Sequence, residues 1–102
     1  MTAAERLAEL GIELPPVAPP VAAYVPALRV GSQVWTSGQL PFVDGELTCT
    51  GKVGAGVSPE DATSAARTAA LNAIAAAAEA AGGLDRIRRV AKVVVFVASA
   101  PG

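Results

Sequence analysis

Bulky and β-branched residues dominate 24–30 and 33–37, and Gly31-Ser32 between them reads as a two-residue, glycine-first hairpin turn. Asp44-Gly45 is a second hairpin signal. It places 40–43 opposite 46–50 and predicts an antiparallel meander, followed by a polar, glycine-rich exit at 51–56. The pattern then turns helical. Ser58 can cap, Pro59 suits a first helical position and Asp61 sits near the positive helix end, so a helix is predicted to about Ala81, closed by Gly82-Gly83. Leu71, Ile74 and Ala78 follow helical spacing, while Ala62, Ala65, Ala66, Ala69 and Ala73 form a thin face for close packing on a sheet. Arg67 and Glu79 fall on the solvent side, and Asn72, beside the apolar face, reads as a structural hydrogen-bonding residue.

After a linking turn around 84–87, residues 89–99 form the longest strand candidate. Apart from Lys92 both of its faces are apolar, so it wants cover on both sides. The alanine-rich helix can cover one; a right-handed β-α-β crossover would return this strand parallel to an earlier one. Nothing further along the chain covers the other, which argues for oligomerisation or for a missing second half. At the other end, Thr2 and Glu5 make a capping box for a short helix to Leu10, closed by Gly11, with Leu7 and Leu10 on a face suited to docking. Pro15, Pro16, Pro19 and Pro20 then require an extended connector. Residues 1–20 are thus an N-terminal helix and connector, and 21–102 a partial domain.

Composition narrows the chemistry. With 102 residues there is room for one small domain, 52% apolar and 17% charged, and a net charge of −1 offers no basic field for nucleic acid. Histidine is absent and Cys49 is the lone cysteine, so an internal disulfide and a Cys/His zinc site are excluded, and a reducing, cytoplasmic setting is expected. Acid–base work would fall to carboxylates, Tyr24, lysine, water or backbone groups. Cys49 has no adjacent cation to activate it, and Lys52 among glycines lacks the order of a phosphate loop. Glu5, Arg6 and Glu9 break any secretory core, and the apolar run 73–81 is too short for a membrane span.

The chemistry-bearing stretch is Gln-Val-Trp-Thr-Ser-Gly-Gln-Leu-Pro at 33–41. An apolar strand stops there at small and polar groups. Gly38, without a Cβ, allows close approach of backbone or ligand, and Ser37 and Gln39 flank it with hydrogen-bonding side chains.

Tyr24, Trp35-Thr36-Ser37-Gly38-Gln39-Leu40-Pro41, the Asp44-Gly45 hairpin, Gly51-Lys52-Val53-Gly54, the helix segment 65–72, Ala80-Ala81-Gly82-Gly83-Leu84 and 90–99 together resemble the YjgF/RidA family. The resemblance covers nearly everything after about residue 20. It is closest to the branch with a longer amino terminus, called chorismate-mutase-like or putative endoribonuclease. It implies an α+β, chorismate-mutase-like fold, a mixed sheet with helices packed on one face, of which this chain holds the N-terminal βαβ-type half. It further implies a homotrimer with clefts between subunits, which would cover both faces of the last strand, and an enamine/imine deaminase, a hydrolase that needs no metal or organic cofactor. Such enzymes turn 2-aminoacrylate-type intermediates into 2-keto acids and ammonia, so the partner is a small imino or keto acid, with no nucleic acid and no membrane. Tyr24 matches the family's cleft tyrosine, Ser37 and Gly38 the cleft wall, and Gln39 follows them as a substrate-binding candidate.

The family's carboxylate-clamping arginine and the glutamate beside its catalytic water have no counterpart here, since both would lie beyond residue 102. Arg86, Arg88 and Arg89 do not occupy that motif and read as surface or sheet-edge residues. The chain is therefore expected to be truncated and inactive alone. The alternative is a non-catalytic, carboxylate-binding or regulatory trimer. A ribonuclease role gains nothing from a net charge of −1 and four aromatic residues.

Overall fold

The computed structural model of the chain describes residues 1–19 and 22–102. Pro20, one of the four connector prolines, and Val21, at the expected domain start, lie outside the described residues. The order is α1 (Ala3–Glu9), β1 (Ala27–Val30), β2 (Gln33–Thr36), β3 (Phe42–Val43), β4 (Glu46–Leu47), β5 (Lys52–Val53), β6 (Gly56–Val57), α2 (Pro59–Ala81) and a 3₁₀ turn at Leu84–Arg86. The architecture is α+β.

Both expected hairpins form. β1 and β2 pair antiparallel with Leu28 opposite Trp35 and Val30 opposite Gln33, and of the two turn residues only Gly31 has positive φ, +59°. β3 and β4 pair through Phe42–Leu47 and Val43–Glu46; Asp44 (φ 52°) and Gly45 (φ 82°) take the left-handed geometry of a type I′ turn. Each hairpin is shorter than its apolar run. A proline trims it: Pro26 and Pro41 have no N–H for the ladder, yet their carbonyls still accept, from Ser37 N–H at 2.9 Å and Thr48 N–H at 3.0 Å. The hairpins do not join into the predicted meander. They remain separate two-stranded ladders, because a tight turn from Phe42 N–H to the Leu40 carbonyl (2.8 Å) redirects the chain between them.

α2 begins and ends where its signals put it. The Ser58 hydroxyl accepts from Asp61 N–H at 3.1 Å. At the other end Gly82 (φ 87°) donates to the Glu79 carbonyl at 3.2 Å and Gly83 to the Ala78 carbonyl at 2.8 Å, the paired bonds of a Schellman stop. The helix packs on β1, β2 and β3. Its inward face is rotated from the predicted one: Asn72, Ala75, Ala76 and Ala81 are buried, while Ala66 and Ile74 are exposed. The hairpins offer a narrow surface, and small side chains let helix and sheet approach closely.

α1 carries its capping box, with Glu5 N–H on the Thr2 hydroxyl at 3.1 Å. It docks on the 3₁₀ turn rather than a sheet, through Ala4 N–H to Asp85 Oδ1 at 3.0 Å; Leu7 is half-buried and Leu10 exposed.

The strand predicted at 89–99 does not form a ladder. It meets the rest of the chain at a parallel bridge between Val53 and Ser99, with Val53 N–H to the Ala98 carbonyl and Ala100 N–H to the Val53 carbonyl, both 2.9 Å. Its direction is the parallel return a crossover requires. Beyond that bridge the segment lies alongside no described strand, and β1 and β2, a two-stranded ladder, each keep an open edge that it does not reach. Val90, Val93 and Val94 are exposed, and Phe96 is 93% exposed. The accessible surface is 7535 Å², against about 5,300 Å² for a self-contained protein of this mass. The chain thus leaves apolar surface that its own residues do not cover, along 90–97 and on the outer face of β1–β2, where Leu28, Val30 and Trp35 stand exposed.

Candidate functional site

Tyr24, Gly38 and Gln39 come from two segments, 24–26 ahead of β1 and 37–42 after β2, held side by side by the first hairpin. Ser37 makes the tie. Its N–H (2.9 Å) and its hydroxyl (3.1 Å) both donate to the Pro26 carbonyl, so the ladder runs one step past β1 and brings the Tyr24 segment against Gly38. Ser37 therefore acts on the site through Pro26, whereas Tyr24, Gly38 and Gln39 line a common cavity. Ala18 and Pro19 of the connector, with Pro26, Leu40 and Phe42, complete its wall. Gly38 has open space where a Cβ would stand, so here the missing side chain leaves the wall low rather than relieving a clash.

The cavity is small, about 10 Å³, room for roughly one water. None of its lining residues carries a charge. What it offers is one phenol, one carboxamide and backbone groups: it can orient a polar atom or a water by hydrogen bonds, and it has no cation for a carboxylate. Arg88 and Arg89 are exposed at the start of the extended segment, and Arg86 lies over Gly82 and Gly83. None lines the cavity. Among the described residues no group of three or more His, Cys, Asp or Glu side chains could hold a metal, and no helix is long and apolar enough to cross a membrane.

Asn72 supports this wall from behind. It is 2% exposed, and its side-chain amide donates to the carbonyls of both Leu40 and Phe42 at 3.0 Å. One buried side chain on α2 thereby fixes the backbone that closes the cavity, which is the hydrogen-bonding role its place in the sequence suggested. Reading by sequence missed Pro26, Leu40 and Phe42 as site formers. The signal for one of them, Pro26, was present, since a proline at a strand start determines where pairing begins.

Three comparisons bear on the identity of this arrangement. A curated relative, Protein TCP17 of Trypanosoma cruzi, is 42% identical over 98 residues, covering 96% of this chain and 61% of the relative. A crystal structure of a putative endoribonuclease from Shewanella oneidensis MR-1 superposes with a TM-score of 0.80 at 42% identity, over 88% of this chain and 60% of that one. Protein Atu1372 of Agrobacterium tumefaciens, described as of unknown function, gives a TM-score of 0.64 at 39% identity, over 78% of this chain and 47% of that one. The chain thus spans about three fifths of the length of the curated relative and of the first of these structures. Residues 4–99, from α1 to the Val53–Ser99 bridge, match the family described as YjgF/chorismate_mutase-like, putative endoribonuclease, and the chain belongs to that family.

Proposed function

We propose that the complete protein is an enamine/imine deaminase and that this chain supplies one wall of its site. The convergence of Tyr24 with Gly38 and Gln39 on one cavity supports this reading. 2-Aminoacrylate tautomerises to the imine, water adds to its electrophilic carbon, and the carbinolamine loses ammonia to leave pyruvate. No electrons change hands, so the site needs a placed water, hydrogen bonds to the nitrogen and a cation for the carboxylate. The Tyr24 hydroxyl and the Gln39 amide suit the first two. The cation and the carboxylate beside the water would come from sequence following the matched segment, as the family resemblance implies. In the same reading the uncovered faces of β1–β2 and 90–97 meet other copies in a homotrimer.

The test is ammonia release above the spontaneous rate from 2-aminoacrylate generated in place by a pyridoxal-phosphate-dependent dehydratase. A full-length protein should accelerate it and the 102-residue chain should not. Tyr24→Phe in the full-length protein should lower kcat/KM by about tenfold, the value of one hydrogen bond to a polarised group. A full-length trimer that leaves the spontaneous rate unchanged refutes the proposal.

A second reading is a trimer whose cleft binds a carboxylate metabolite without turning it over. The lining favours this reading only in offering hydrogen-bonding groups and no acidic or basic side chain to move a proton, and the cation for the carboxylate would again come from outside this cavity. Saturable pyruvate binding by the inactive full-length trimer would establish it.

A further inference from the structure

Behind the Ala18, Pro19 and Phe42 wall of the candidate site lies a second, larger cavity of about 380 Å³. The size falls within the roughly 300–1,000 Å³ of small-molecule pockets. Three parts of the chain build it: the connector, the β3–β4 hairpin and the side of α2 that carries Thr68, Leu71 and Asn72. Its apolar walls include Val17, Phe42 and Leu71, and Thr68 places a hydroxyl among them.

Its charge is one-sided. Glu13 and Asp44 are the ionisable residues in its lining, and no lysine or arginine is there. Both are exposed, and among the described residues neither carboxylate holds an ion pair or hydrogen bond, the ion pair present being Arg6–Glu9. Asp44 is committed by its backbone to the turn, which leaves its carboxylate available.

We propose that this cavity is a binding site for a small amphiphilic cation, an apolar body carrying a protonated amine, distinct from the cleft of Tyr24 and independent of the deaminase reading. The apolar walls take the body, and the two unpaired carboxylates favour a cation over a neutral or anionic molecule of the same shape. The class is opposite in charge to the imino and keto acids proposed for the neighbouring cavity. The two sites share the Phe42 wall, so a ligand in one bears on the backbone of the other.

The experiment is a titration of the isotopically labelled chain, followed by amide NMR shifts, with three probes of one shape: 2-phenylethylammonium, 2-phenylethanol and 3-phenylpropanoate. The ammonium should bind most tightly and the carboxylate least, with shifts centred on Thr68, Leu71 and the 43–45 turn. Glu13→Gln with Asp44→Asn should weaken the ammonium by about threefold to tenfold, towards the alcohol, since exposed ion pairs are individually modest; asparagine is at home in the left-handed turn, so the fold should be kept. Added salt should weaken the ammonium alone. Thr68→Phe should fill the cavity and remove binding of all three, with circular dichroism confirming that α2 is retained. Equal affinities for the three probes, shifts centred on Leu28 and Trp35, no saturation at millimolar probe, or a groove already closed by another copy of the chain would each overturn the proposal.

Discussion

Asn72 is the residue on which the candidate site most depends, and its replacement gives a sharp test. It is 2% exposed and donates two hydrogen bonds of 3.0 Å to the Leu40 and Phe42 carbonyls. In Asn72→Ala each bond lost costs about 1 kcal/mol net, and a carbonyl left dry costs about 1–3 kcal/mol. Leu40 is about half exposed, so water can reach its side of the gap. The total should fall near 2–4 kcal/mol, a large share of the roughly 5–15 kcal/mol available to a domain of this size. Asn72→Asp keeps the shape but turns carboxylate oxygens towards two carbonyl oxygens, and should cost more than alanine. Urea unfolding followed by circular dichroism gives the free energies. Amide hydrogen exchange at Phe42 and Val43 shows whether the loss is local first, and exchange there should speed up before α2 is affected. A cost below about 0.5 kcal/mol for Asn72→Ala, or aspartate better tolerated than alanine, would refute the pinning role; comparing denaturation midpoints at a shared slope avoids most of the roughly 10–15% uncertainty of extrapolated free energies.

Gly51 has φ +125°, and a Cβ there would stand 3.2 Å from Val57 Cγ2, so Gly51→Ala should lower stability by about 1–3 kcal/mol in a thermal unfolding scan. Gly38→Ala is the internal contrast, meeting open space at negative φ, and should cost far less. Asp85→Ala removes the acceptor for Ala4 N–H and should speed amide exchange in α1 about two- to fivefold while leaving α2 unchanged. Phe96 is 93% exposed, so Phe96→Ser should change the stability of the isolated chain by less than about 0.5 kcal/mol, yet reduce its self-association in light scattering.

Local chemistry decided a great deal by itself. Ser58, Pro59 and Gly82-Gly83 bound α2, Thr2 and Glu5 cap α1, and Asp44-Gly45 and Gly31-Ser32 turn the hairpins, because caps and tight turns are satisfied by residues within four positions of one another. Family membership was legible for a related reason: the Ser-Gly-Gln-Leu-Pro stretch, the double glycine after the helix and the valine-rich end are contiguous signals. What needed the tertiary structure was every relation across the chain. The rotation of α2 about its axis was hidden, since a helix so rich in alanine has only a weak apolar stripe and its facing residues were chosen by the hairpins and by Asn72. The shortening of β1 and β3 depended on prolines whose missing N–H matters only once a partner strand is known. The valine-rich segment has the side chains of a buried strand, but a ladder needs a strand edge brought alongside it, and among the described residues it meets one only at Val53. So it was with the site. The sequence named Tyr24, Ser37, Gly38 and Gln39, and the fold divided them, three lining a cavity and Ser37 holding Pro26 in place behind it, because a hydroxyl takes the hydrogen-bond partner that strand pairing brings within reach.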